Sequence, residues 1–307
     1  MSVKLSPKVS PLLVLCLGIL ATSTGSLFIR YAQTSAPSLV IAAYRLSLAV
    51  IFLSPFVLVR RRAELSHLSR TDLSLGLLSG FFLALHFATW ITSLEYTTVA
   101  SSVLFVSTTP LWVAILSPFV LKEHLPRLAL VGMGITLVGG IIVALSDTCS
   151  LSAAGFICPP LATFIQGRAS WGNFLALIGA WMGAGYLMIG RRLRPKLSLM
   201  GYIYVVYGMA ALTLLGLAIL AGQPLFGYPA QTYLWFVLLA LVPQLLGHSS
   251  YNYALAFVPA AFVAVVLLGE PVSSGILAFF LLHENITLLK GFGAILTLVG
   301  IYIVSKN

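Results

Sequence analysis

The feature that most constrains this chain is a succession of apolar stretches, each about as long as a membrane-spanning helix. A helix needs about 20 mostly apolar residues to cross a bilayer. Only 8% of the 307 residues are charged, against about 25% in a soluble domain, so a soluble globule and a disordered chain are both excluded. We predict ten spans, near residues 12–30, 38–59, 72–94, 99–120, 128–145, 173–190, 199–220, 231–255, 260–282 and 288–304.

The basic residues predict how these spans are oriented. With the amino terminus in the cytoplasm, 13 of the 17 Lys and Arg fall at cytoplasmic positions, as the positive-inside rule requires. Ten spans then place both termini in the cytoplasm of a multi-pass protein, which we expect in the plasma (inner) membrane. The net charge of +10 follows from this bias. We predict no nucleic-acid partner, because no basic stripe with interleaved aromatics occurs.

The amino-terminal segment has two interpretations. Lys4 and Lys8, followed by the apolar run 12–21 and small residues, resemble a signal peptide. The internal repeat described below requires an uncleaved first span instead, and we adopt that interpretation.

The longest predicted loop, residues 146–172, separates two groups of five spans. We therefore divide the chain into a first repeat at 12–145, an extracytoplasmic loop at 146–172 and a second repeat at 173–305. Cys149 and Cys158 in the loop either form a disulfide in an oxidising compartment or remain two free thiols. The three cysteines lack CxxC spacing and His partners, so we predict no metal and no cofactor.

The second half of the chain repeats the first at a shift of 161 residues. Residues 97–145 and 258–306 align without a gap, and 15 of 49 positions are identical. Because each unit has five spans, the two units enter the membrane in opposite senses, as in secondary transporters with a midplane site. We predict an all-α polytopic membrane protein: ten transmembrane helices as two inverted five-helix repeats around a central cavity. The identities include Pro110 with Pro271, Glu123 with Glu284, Gly132 with Gly293, and TLVG at 136–139 with TLVG at 297–300.

The repeated segment resembles the EamA family of the drug/metabolite transporter superfamily. The resemblance rests on a Pro in the fourth span of each unit, a Glu closing that span, a Gly-rich next span and the Glu270-Pro271 pair. It covers residues 12–305 as two EamA copies. It implies ten helices, cytoplasmic termini and a small-molecule cargo, with export as the direction. The family carries amino acids, drugs, sugars and nucleotide sugars, so the resemblance does not select one.

Ionisable residues inside the spans are candidates for function, because one at mid-bilayer costs about 2.5–3.5 kcal/mol on insertion scales. Glu270 lies near the middle of the ninth span, with Ser273 and Ser274 on the same face. It is either a site for a cation, amine or proton, or half of a buried ion pair with Arg45. Arg45 alternatively snorkels to the outer surface.

The eighth and third spans each carry a polar stripe. Since a lipid-facing polar stripe is unfavourable, we expect both stripes to face the interior. There they form either a cavity wall or hydrogen bonds between helices, worth about 0.6 kcal/mol each. A separate small-residue ridge on the third span serves close packing. The eighth-span stripe is Gln244, His248, Tyr251 and Asn252; the third-span stripe is Ser79, Phe82, His86, Trp90 and Ser93; the ridge is Gly76, Gly80, Ala84 and Ala88.

The fourth span also carries a stripe of polar and aromatic residues, namely Ser101, Phe105, Thr108 and Trp112. Pro110, and Pro271 in the ninth span, either form fixed kinks or act as hinges, because a Pro removes one backbone donor. Glu123 and Glu284 end their spans and are interpreted as structural caps.

The pattern as a whole predicts a secondary transporter that moves a small metabolite, amino acid or drug-like solute by alternating access. Proton coupling through Glu270 and homo-oligomerisation are further expectations. The alternatives are an integral membrane enzyme acting on a lipid or isoprenoid substrate, and a channel. Only the transporter explains an inverted repeat, and no GxxxxGK[ST], GxSxG or HExxH motif is present. The predicted substrate-binding residues are His86, Trp90, Thr108, Trp112, Gln244, His248, Asn252 and Glu270.

Overall fold

A computed structural model describes residues 7, 9–97, 102, 105–124, 126–145, 150–152, 155–158, 160, 167–270, 272–273, 277, 280 and 287–306. This part of the chain is helical apart from its loops and one small hairpin. Its helices are α1 (Pro11–Ser23), α2 (Gly25–Gln33), α3 (Ser38–Arg60), α4 (Arg62–Ser66), α5 (Arg70–Tyr96), α6 (Thr109–Val120), α7 (Arg127–Leu145), α8 (Arg168–Leu193), α9 (Leu199–Leu220), α10 (Ala230–Leu239), the π segment (Ala240–His248), α11 (Ser249–Ala254), α12 (Ala260–Val266) and α13 (Leu288–Ser305).

The long helices coincide with predicted spans. Six described stretches are long and apolar enough to cross a membrane, and they correspond to the first, second, third, sixth, seventh and eighth predicted spans. Shorter apolar helices occupy the fourth, fifth and tenth, and α12 begins the ninth. An integral membrane protein built from apolar helices is therefore confirmed, while the number of ten spans stays a prediction. The six stretches are Pro11–Gln33, Ser38–Arg60, Arg70–Tyr96, Arg168–Leu193, Leu199–Leu220 and Ala230–Ala254.

The helices pack as two units related by a pseudo-two-fold axis. The first span of each unit packs along the third span of the other: α8 lies along α5, and α1 with α2 lies along α10, the π segment and α11. The second spans α3 and α9 contact each other, as do the fourth-span helices α6 and α12 and the fifth spans α7 and α13. These contacts of one half thus have counterparts in the other, which is the arrangement that two copies of one unit produce.

The repeated TLVG motif lies where α7 and α13 cross. A Cβ added to Gly139 would lie 2.6 Å from Thr297 Oγ1 and 2.7 Å from the Gly293 carbonyl oxygen. The counterpart Gly300 contacts Thr136 and Gly132 in the same way. Both threonines donate their hydroxyl to the carbonyl four residues back, at 2.8 and 3.0 Å. The motif therefore repeats because small residues on both helices are needed for this close approach.

The segment predicted as a long loop contains local structure. Strands β1 (Ser150–Ser152) and β2 (Gly155–Ile157) pair as a short antiparallel hairpin. Cys158, just after β2, is disulfide-bonded, and Cys16 is free and exposed. Cys149 lies outside the described residues.

Candidate functional site

The centre of the molecule holds an aromatic and polar cluster on the pseudo-two-fold axis. Phe87 on α5 and His248 in the π segment occupy the same position in the two repeats, and their ring centroids are 5.1 Å apart. Two residues that are equivalent by repeat and in direct contact lie on either side of the axis. The site therefore combines side chains from both halves.

Arg45 is the charged residue at this centre. It is 1% exposed, its Nε donates to Gln244 Oε1 at 2.8 Å, and its guanidinium lies 4.2 Å from the centre of the Phe87 ring. The contacts point Arg45 into the protein rather than toward the surface. Within the described segments no carboxylate lies within 4.0 Å of it. Glu270 acts on it electrostatically from farther away.

Five of the nine buried side-chain atoms that have no hydrogen-bond partner in the described part of the chain belong to this cluster. Buried polar groups are normally paired, and an unpaired one costs about 1–3 kcal/mol. Orphaned atoms from different helices that gather in one place indicate groups available to a ligand. They are Trp90 Nε1 on α5, Tyr186 OH on α8, and Gln244 Nε2, His248 Nδ1 and Asn252 Oδ1 on the eighth span.

The eighth span is not a continuous α-helix, as the stripe spacing had assumed. Residues Ala240–His248 form a π-helical segment with Pro243 inside it. A Pro lacks an N–H and clashes with the carbonyl four residues back, and a wider π turn accommodates both effects. Gln244 and Asn252, both 0% exposed, nevertheless face the interior. A π segment inside a long helix is often found at a functional site.

His86 is held by the sixth span. Its Nδ1 lies 2.8 Å from the Gly179 carbonyl oxygen. Because a carbonyl only accepts, Nδ1 carries the hydrogen and Nε2 is left for another partner. The ring also packs beside Gly183, where an added Cβ would lie 3.1 Å from Nδ1. One nitrogen of His86 is thus structural.

Glu270 lies at the end of the described part of the ninth span, next to the first span. Its carboxyl group interacts with the Thr22 hydroxyl and, at longer range, with Arg45. Ser23 Oγ donates to the Glu270 backbone carbonyl at 3.3 Å, and Thr22 also hydrogen-bonds Tyr251. Glu270 is therefore at the edge of the central cluster and not in a direct ion pair with Arg45.

Thr108 and Trp112 form a different group. Trp112 Nε1 donates to Thr108 Oγ1 at 3.1 Å, and the Trp112 ring packs edge-on against Trp181, at 5.3 Å between centroids. Trp181 is 37% exposed. The described contacts thus link six of the eight predicted binding residues to one another, and they link Thr108 and Trp112 to Trp181.

Pro110 does not lie in the middle of a continuous helix. The chain turns at Ser107 and Thr108, and α6 begins at Thr109, so Pro110 is in its first turn. A Pro is favourable there, because the first-turn N–H has no helical partner. Pro271 and Glu284 lie outside the described residues.

Three residues at the site were not predicted from sequence: Thr22, Phe87 and Tyr207. Tyr207 OH lies 3.2 Å from Ser249 Oγ and accepts from Asn252 Nδ2 at 3.3 Å. Thr22 and Tyr207 give no sequence signal among apolar neighbours. Phe87 was recoverable, since it is the repeat counterpart of His248.

A second polar group joins the two repeats at one end of the bundle. Arg191 on α8 donates Nε to Glu123 Oε1 at 2.7 Å and Nη1 to the Leu255 carbonyl at 3.1 Å. Ser198, which caps α9, donates its N–H and hydroxyl to the Glu64 carboxylate at 2.8 and 2.7 Å. Glu123 and Glu64 belong to the first repeat, and their partners belong to the second.

Arg194 extends this group toward the site. Its Nε donates to the Asn252 backbone carbonyl at 2.7 Å. Burial lowers the pKa of Arg194 to about 10, so it stays charged at neutral pH. A cation at the carboxyl end of α11 interacts favourably with the helix dipole, and this contact fixes the helix end that carries Asn252.

Comparison with known proteins identifies the family. The model of the EamA-like transporter family matches the chain twice, over residues 9–145 and 170–306. The chain belongs to this family. The two matches are offset by 161 residues at both ends, the shift seen in the sequence, so the resemblance is confirmed.

Two similar proteins support the assignment. An uncharacterized transporter of Archaeoglobus fulgidus is 23% identical over 298 residues, which is 96% of this chain and 97% of that protein. A solved crystal structure shares the fold, with a TM-score of 0.76 and 16% identity over 98% of this chain and 99% of that one. The EamA chain is thus a membrane transporter.

Proposed function

We propose that this protein is a secondary transporter that binds a small polar or amphipathic solute at the central cluster and moves it by alternating access. The observation that carries the proposal is the set of orphaned buried polar atoms from both repeats around Phe87 and His248. Groups left unpaired by the protein are available to hydrogen-bond a solute. The cargo is a metabolite, an amino acid or a drug-like solute, and family resemblance favours export.

The mechanism follows from the pseudo-symmetry. The site lies between two units of the same fold, so rocking one unit against the other exposes it to opposite sides in turn. The contacts of Glu123 with Arg191 and of Glu64 with Ser198 cross between the units at one end. They close that end, and opening requires them to separate.

The proposal is tested by reconstituting the full-length protein in liposomes. Uptake of labelled amino acids, purines, sugars and cationic drugs is measured with the unlabelled solute inside, and we expect saturable exchange of one chemical class. Asn252→Leu removes an orphaned acceptor and should abolish exchange, while Gln223→Leu, outside the predicted spans, should not. Recovery of chemically altered solute would instead identify an enzyme. Non-saturable flux would identify a channel.

Proton coupling through Glu270 is a separate part of the proposal. Its carboxyl group lies at the edge of the cluster beside Thr22 and near Arg45, where a change of charge acts on Arg45. We expect Glu270→Gln to lose pH-gradient-driven uptake and to keep exchange at equal pH. Glu95→Gln, at the far end of α5, is the matched control. Gradient-driven uptake by Glu270→Gln at the wild-type rate would refute the coupling.

A further inference from the structure

We infer that Arg45 and Gln244 form a subsite for the anionic group of the solute, so that the cargo is an organic anion with a flat apolar ring. This inference rests on the proposed function and names the substrate class of the same site.

The donors of Arg45 are mostly unused. A guanidinium has five N–H donors in a fork that matches a carboxylate. Through the described chain, the hydrogen bond of this side chain is the one from Nε to Gln244 Oε1. The two Nη groups form the end of the guanidinium that binds carboxylates bidentately. They are left for a ligand.

Gln244 adds a donor at the same place. Its side chain is 0% exposed, and its amide is oriented because Oε1 accepts from Arg45. The other atom of the amide, Nε2, is buried and lacks a partner within hydrogen-bonding distance in the described chain; the Tyr207 hydroxyl is a polar group next to it. An acidic group against Arg45 would reach this N–H as well. The two adjoining side chains thus supply donors to the same place.

The charge balance also favours an anion. A buried charge is costly unless it is paired, yet the described residues place no carboxylate within 4.0 Å of Arg45. Glu270 acts from farther away and is engaged with Thr22. A solute carboxylate bound here would therefore place a negative charge in direct contact with the Arg45 guanidinium, which no described residue does.

The subsite exists in one half of the site. At the repeat shift, the counterparts of Arg45 and Gln244 are Val206 and Leu83, which are buried and apolar. Pseudo-symmetry therefore does not create a second anion position. The other side of the cluster is aromatic, with Phe87, Trp90 and His86 in mutual ring contact. A solute with an acidic group and a flat ring would bind in one orientation.

The test compares solutes that differ in one group. Thermal unfolding of the purified full-length protein is followed with phenylacetate, phenylacetamide and phenylethylammonium, and with the corresponding three indole compounds. We expect at least one carboxylate to give the same rise in the unfolding temperature as its amide or amine at one tenth of the concentration or less. Equal stabilisation by the amide or the amine, or none by either carboxylate, overturns the inference.

Variants locate the effect. Gln244→Glu places a carboxylate against Arg45 inside the protein, so it should fold and should lose stabilisation by the anions. Arg45→Gln should lose the preference for the anion, whereas Arg30→Gln, at an exposed position, should keep it. If anions stabilise Gln244→Glu as strongly as the wild type, Arg45 and Gln244 do not bind the anionic group, and the inference is wrong.

Transport separates this inference from the proposed function. If liposomes exchange a solute that has no anionic group, the subsite is wrong and the transporter stands. If no solute is exchanged while a carboxylate binds and Gln244→Glu abolishes its binding, the subsite stands and the proposed function fails.

Discussion

At the scale of single residues, the site is marked by buried polar atoms that have no partner in the described chain. Other buried side chains are paired: Ser79 Oγ lies 2.9 Å from Tyr202 OH, and Ser93 Oγ lies 2.6 Å from Ser102 Oγ. Tyr186 and Tyr202 illustrate the difference. Both are buried, but among the described residues Tyr202 OH has a partner within hydrogen-bonding distance and Tyr186 OH, which faces Asn252, does not. Structural and binding tyrosines can therefore be separated by experiment.

We expect Tyr186→Phe to leave thermal stability unchanged or slightly raised, because it removes an unpaired hydroxyl from the interior. Solute affinity should fall roughly 5- to 10-fold, the loss of one hydrogen bond of about 1–1.5 kcal/mol. Tyr202→Phe should behave oppositely, with a stability loss of about 0.6 kcal/mol and unchanged affinity. Unfolding midpoints in detergent and binding isotherms check both. A stability loss in Tyr186→Phe alone would mean that its hydroxyl is structural.

At the scale of elements, small residues determine which helices cross closely. The TLVG segments place Gly139 against Thr297 and Gly300 against Thr136. The next residue, Gly140, has nothing within 4 Å of an added Cβ. Adjacent glycines of one helix therefore have different roles, and this difference cannot be read from the sequence GG.

We expect Gly139→Ala to destabilise the protein by about 1–3 kcal/mol, as overpacking does. Gly140→Ala should be neutral or stabilising by up to about 1 kcal/mol, because Ala is the better helix former. Thermal unfolding and the yield of folded protein report both changes. Equal midpoints for the two variants would contradict the close crossing of α7 and α13.

At the scale of the whole molecule, half-buried polar contacts join the two repeats at one end. Glu123 and Arg191 are 27% and 21% exposed, so their ion pair adds only about 0.2–1 kcal/mol to stability. A contact of this strength can separate without unfolding either unit, as the proposed rocking motion requires.

We expect a short thiol-specific cross-link between Glu123→Cys and Arg191→Cys, in a Cys16→Ser background, to stop transport. Reductant should restore it, because the units can then move apart. The control joins Thr71→Cys and Ser74→Cys, which lie one turn apart on the exposed face of α5 inside one repeat, and should leave the rate unchanged. Liposome uptake before and after cross-linking is the measurement. Full transport by the cross-linked 123–191 pair would show that this end does not open.

The sequence by itself determined the membrane location, the repeat and the family, because apolar length, charge bias and a shift of 161 residues are properties of the linear chain. It also placed Gln244, His248 and Asn252 in the interior, since a polar stripe on lipid is unfavourable. Only the tertiary structure decided which polar atoms are satisfied. It paired His86 with Gly179, joined Thr108 and Trp112 to Trp181, and left Arg45 beside Gln244 instead of Glu270. Hydrogen bonding depends on distances between helices, and those distances are set by packing that side-chain periodicity does not encode.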